Sequence, residues 1–268
     1  MATSNPAFSN SPAFTQNATK AVQWTQEPSS QQLDELYGRS AATPDQMGRM
    51  TYENVIQKTF GAFAVLLVFA AVGWFVPGLW IIGGIAGFVL ALVNIFKKEP
   101  SPALILAYSA AQGLFVGGIS AFYQSMWDGI VVQAVIGTLA VVGVTLALFA
   151  SGKIRASKRA TKIFLIAMVG YAVFSLVNFG LMLFGVTESM FGLRDVPFLG
   201  LPLGFWLGIL VVIMAAYSLV LDFDMVQTGV RRGAPAKYGW TAAFGIMVTV
   251  IWLYLEILRM LAILRGNN

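Results

Sequence analysis

Residues 203–225 read LGFWLGILVVIMAAYSLVLDFDM, and residues 240–264 read WTAAFGIMVTVIWLYLEILRMLAIL. Each run exceeds the roughly 20 residues that carry a helix across a bilayer core. Neither alternates polar and apolar residues, so neither reads as a barrel strand. Working outward, five further runs of the same kind occupy 59–76, 79–96, 103–123, 130–151 and 163–186. The chain therefore reads as an all-α polytopic membrane protein, a bundle of seven transmembrane helices.

Composition agrees. Of 268 residues, 57% are hydrophobic and 11% charged, against about 25% charged in an ordinary soluble domain. The mean hydropathy is +0.74. Residues 1–50 stand apart: they are rich in Ser, Thr, Asn, Gln and Pro, and carry no long apolar run. Such a stretch buries too little surface to offset its ordering entropy. It is expected to be a disordered cytoplasmic tail ahead of a seven-helix domain over 51–268, and not a signal peptide, since no basic cluster and apolar core open the chain.

Loop charge sets the orientation. The stretch through Lys58 has four Lys and Arg, and the second, fourth and sixth loops have two, five and three. The first, third and fifth have none, none and one. The positive-inside rule then places the N-terminus in the cytoplasm and the C-terminus outside, in a cell (plasma or inner) membrane. Six spans plus a re-entrant last segment is the alternative, because that segment carries Glu256 and Arg259. The net charge of +5 fits basic loops in a membrane protein, and no nucleic-acid partner is expected.

There is no Cys and no His. Disulfides, thiolate or imidazole metal sites, and Ser-His-Asp catalysis are all excluded. No Gly-rich loop followed by Lys-Ser/Thr suggests nucleotide binding, and no enzyme or cofactor is expected. Gly113 and Gly117 form a small-xxx-small pattern that lets helix backbones approach closely in lipid, and Gly83, Gly84 and Gly87 suit the same role. Asn94, Gln112, Gln133 and Asn178 read as interhelical hydrogen-bonding groups.

The acids say more. A charge at bilayer centre costs about 2.5–3.5 kcal/mol on insertion scales, so intramembrane acids tend to face the bundle interior or a wet cavity. Asp222, Asp224 and Glu256 are the candidates. The default reading of such acids is functional, although Asp222 and Asp224 lie near the basic end of their span, where interfacial solvation could explain either one. On a regular helix they point about 200° apart. Arg259, at i+3, is the natural partner of Glu256. Tyr254 is a weaker candidate.

At these last two spans the sequence resembles the Bax-inhibitor (transmembrane Bax-inhibitor-motif) family and its bacterial branch. The resemblance is carried by Leu221-Asp222-Phe223-Asp224-Met225-Val226-Gln227 and by Leu253-Tyr254-Leu255-Glu256-Ile257-Leu258-Arg259. Ser101-Pro102-Ala103 through Gln112-Gly113-Leu114-Phe115-Val116-Gly117-Gly118 is similar to the family's third span. The likeness covers about 51–264 and leaves the tail aside. It implies a bundle wrapped around a central last helix and a pH-sensitive calcium leak, gated by two acids that share a proton. Carried over, Asp224 and Glu256 are the pH-sensing pair and the calcium ligands, Asp222 is a further candidate, and Arg259 is a possible basic partner. Glu256 replaces the family's aspartate. A hairpin turning near Pro235 would set Glu256 about 15 Å deeper than Asp224, so the two meet only if a helix is irregular or the last span begins outside the bilayer.

The implied partners are the lipid bilayer, calcium ions and protons. Two other readings stay open. One is a regulator of a membrane protease or stress-response complex, with a membrane-protein partner docked through the tail. The other is a proton-coupled small-solute transporter.

Overall fold

The computed structural model describes residues 47–76, 78–187 and 189–266. The expected disorder of the tail falls almost wholly on residues outside these. Seven helices follow one another: α1 (Tyr52–Phe75), α2 (Leu79–Phe96), α3 (Pro102–Met126), α4 (Ile130–Ala150), α5 (Lys158–Leu183), α6 (Leu203–Arg231) and α7 (Gly239–Gly266). All seven are long and apolar enough to cross a membrane, and the last segment is one continuous helix rather than a broken, re-entrant pair. Between α5 and α6 lie a 3-10 turn over Gly192–Asp195 and a small antiparallel hairpin of β1 (Pro197–Phe198) and β2 (Leu201–Pro202).

Local chemistry sets the helix ends. Thr51 caps α1 by accepting from the Asn54 amide at 3.1 Å, which starts that helix a full two turns before the apolar run at 59. Ser157 caps α5 in the same way through Ala160, and Pro102 sits in the first turn of α3, where its missing N–H is not needed. The turn into α4 passes through Gly129 at φ 74°, in the left-handed region that favours glycine.

The helix α7 runs through the middle, with 56% of its span buried, and α5 lies at the edge with 6%. The helices α1 and α3 pack most tightly. A Cβ on Gly113 would strike the Leu66 backbone, and one on Gly117 the Ala70 backbone. A Cβ on Gly83 of α2 would come within 2.6 Å of the Ala111 carbonyl oxygen. The small-residue pattern is thus the seam of the α1–α2–α3 layer, the arrangement close packing in lipid requires. Asn94 donates to the Leu104 carbonyl at 3.3 Å, tying α2 to α3.

The loops sort into two ends. At the basic end, Lys237 pairs with Glu99 at 2.9 Å. The chain just before α1 is clasped to the α6–α7 turn there: the Met50 amide donates to the Ala234 carbonyl at 2.7 Å, and the Ala236 amide to that of Gly48 at 2.8 Å. At the far end, Arg265 donates to the Asp128 carbonyl and to Gln133.

Candidate functional site

The α6–α7 hairpin carries the acids, and its register decides which of them meet. Gly204 faces Ile263, Gly208 faces Met260, and Asp222 faces Gly245. The two helices therefore run antiparallel without a slip, and α6 is unbroken from Leu203 to Arg231. The irregular helix that would let Asp224 reach Glu256 is not found in α6 or α7.

Asp222 turns toward α7. The Thr249 hydroxyl donates to its carboxylate at 2.7 Å, and Ser218 lies 3.2 Å from the Thr249 hydroxyl. Gly245 keeps the approach open, since a Cβ there would sit 3.1 Å from the Asp222 carboxylate. Asp222 also lines a cavity of about 280 Å³ at the basic end, together with Asn94, Lys97, Lys98 and Thr241. The site is thus one carboxylate on the wall of a largely apolar vestibule, backed by two hydroxyls that lie behind it along the α6–α7 seam.

Asp224 is two residues on, about 200° around the same helix. Among the described residues it makes no hydrogen bond or ion pair. Its neighbour Phe223 packs on Phe149 of α4, ring centroids 5.7 Å apart.

Glu256 is elsewhere. It is 1% exposed and seven residues beyond Thr249, about 10 Å along the axis. Two arginines hold it: Arg194 at 3.4 Å and Arg259 at 3.0 Å. Arg194 reaches Oε1, whereas Arg259 reaches Oε2, to which the Tyr171 hydroxyl also donates at 2.8 Å. A carboxylate so placed accepts two hydrogen bonds and faces two guanidinium charges, which is how a buried charge is made tolerable. Tyr254, two residues nearer the basic end, shares a 2.6 Å hydrogen bond with Ser120 of α3 and does not join either acid.

The expected Asp224–Glu256 pair is therefore not formed, and the two do not make a joint calcium site. The physical reason is the straight hairpin, which keeps Asp224 farther toward the basic end than Asp222 and on another face. Calcium takes six to eight oxygens, and the described residues contain no cluster of three or more acids that could hold a metal. Arg259 does pair with Glu256. Sequence reasoning passed over Arg194, Tyr171, Ser175 and Thr249. The available signals were the lone basic residue of the far-end loops and the polar spacing 171, 175, 178 along one helix face.

A family model described as Bax inhibitor 1 like matches residues 5–266. The match takes in nearly the whole chain, including most of the polar stretch ahead of α1, and the chain belongs to that family. No curated protein matches it.

Proposed function

We propose that this member of the Bax inhibitor 1 like family is a proton-responsive cation leak, with calcium as cargo and Asp222 as the group that meets it. The observation that carries the reading is the Asp222 carboxylate on the wall of a vestibule, with the Thr249 and Ser218 hydroxyls continuing inward along the α6–α7 seam. One carboxylate and two hydroxyls supply few of the oxygens calcium prefers. The ion then keeps much of its water and is held weakly, as conduction requires.

Ionised Asp222 offsets the charge of Lys97 and Lys98 at the vestibule wall and draws a cation in. Protonated, it leaves those lysines unopposed. The leak thus opens as pH rises and closes as it falls. The basic end faces the cytoplasm in this reading, following the loop charges.

Calcium flux in proteoliposomes, followed from mildly acidic to mildly alkaline pH, tests it. Asp222→Asn should abolish the pH response. Flux that keeps its pH dependence in Asp222→Asn would overturn the assignment.

A second reading has one observation behind it. The chain ahead of Met50 leaves the bundle beside the α6–α7 turn, where a bound partner would cover the vestibule mouth. Co-purification of a membrane protein that is lost on removing residues 1–46, in a protein without flux, would favour that regulator.

A further inference from the structure

On α5, Tyr171, Ser175 and Asn178 lie four and three residues apart, on one face of the helix. Each is committed. Asn178 accepts from the Leu193 amide at 2.7 Å and donates to the Phe191 carbonyl at 3.2 Å. Ser175 accepts from Arg194 at 3.2 Å. Tyr171 accepts from Arg194 and from Arg259, each at 3.1 Å, while donating to Glu256.

Apolar burial adds little. Asn178 is the one buried residue of α5, and Ile163, Ile166, Val169 and Leu176 are exposed. In lipid, an apolar face gains almost nothing by leaving acyl chains for another helix. The attachment of α5 to the bundle therefore rests on its polar face at the far end, and at the basic end on Tyr217 of α6, which bonds to Ser157 and Thr161 and meets the Phe164 ring. The centre of that face is Arg194, which is 4% exposed although it comes from a loop.

Arg194 also sits at a closed end. A Cβ on Gly204, the second residue of α6, would lie 3.0 Å from the Arg194 Cβ and would also strike Ile263 of α7. The guanidinium itself is a positive charge in the seam between α5 and α7, bonded to Glu256, Tyr171 and Ser175 and stacked near Tyr171 and Phe174 at 5.3 and 5.5 Å. Beyond it the chain turns through Leu199 at φ 50° and Gly200 at φ 81°. Leu199 is strained in this conformation, which closes the turn between the paired Phe198 and Leu201.

We propose that α5 and the segment Ser189–Phe198 form a movable far-end gate, locked shut by Arg194, with Glu256 as the positioning residue that holds it. A fixed arginine bars cations, so the gate opens only when Arg194 leaves the seam. What the gate passes rests on the cation-leak reading; its movement does not.

The chain has no Cys, so introduced pairs label cleanly. Spin labels at Leu176→Cys on α5 and Ile85→Cys on α2, both lipid-facing, report the gate in nanodiscs. A control pair at Leu67→Cys on α1 and Ile136→Cys on α4 reports the rest of the bundle. The protein with Glu256 and Arg194 intact should give one narrow α2–α5 distance distribution. Glu256→Gln, Arg194→Met and the milder Tyr171→Phe should each add a second population, with the control pair unchanged. Unchanged α2–α5 distances in all three, or an equal change at the control pair, would overturn the gate. Calcium flux on the same variants separates the two readings. A several-fold rise that tracks the second population supports both, whereas displacement without flux leaves the gate standing and defeats the leak.

Discussion

The helices α5 and α7 have the same mean hydropathy, yet one lies at the rim and the other at the centre. The burial of their spans differs from 6% to 56%. Hydropathy marks what enters the membrane and says nothing about what a span faces once there, because lipid and protein interiors are equally apolar. What separates the two is small residues and polar commitments. On α7, Gly239, Ala242, Ala243, Thr249 and Glu256 are all buried, and neighbours close on it from several sides. On α5 one polar face at the far end and the Tyr217 contact at the basic end do the holding.

The comparison breaks most sharply at Glu256, the residue that ties the two helices together. Glu256→Gln leaves Arg194 and Arg259 without their counter-charge, and removing one partner of a buried pair costs about 3–5 kcal/mol. Unfolding in mixed micelles should show that loss, and Arg194→Met added to Glu256→Gln should return part of it. Next comes Gly117→Leu, which forces a side chain into the Ala70 backbone. Overpacking of this kind costs about 1–3 kcal/mol, measured in the same assay.

The matching change on α5 should go the other way. At Gly170 and Gly180 an added Cβ would meet nothing within 4 Å. Gly→Ala at either should be neutral or should stabilise by about 0.5–1 kcal/mol through helix propensity. A large loss at Gly170→Ala would mean that α5 is packed as α7 is, and the contrast would fail. The smallest effect belongs to Thr249→Val, which removes one donor to Asp222. Interhelical hydrogen bonds in membranes average about 0.6 kcal/mol, so stability should barely move while the pH response of calcium flux shifts.

The spans are legible in the sequence because continuous apolar runs admit one reading in a membrane. The Glu256–Arg259 contact is legible too, since i and i+3 share a helix face whatever surrounds them. The choice between Asp222 and Asp224 is not. Two residues apart, one of them must face α7, and only the position of Gly245 and Thr249 says which. Arg194 is hidden for another reason: it lies 62 positions from Glu256, and no periodicity links a loop residue to a distant helix. Its one trace is a basic residue on the side where loop charge is otherwise missing. The start of α1 escapes hydropathy because its first two turns are polar, a capped helix end reaching beyond the apolar run.

The clasp of Gly48 and Met50 onto Ala234 and Ala236 joins stretches from opposite ends of the chain. It cannot close until the chain through Ala236, six helices on from Met50, has been made, so it is a late bond of biogenesis. Protease resistance appearing around Arg49 would then serve as a clock for a chain complete through Ala236, absent in a protein truncated or stalled at any earlier point.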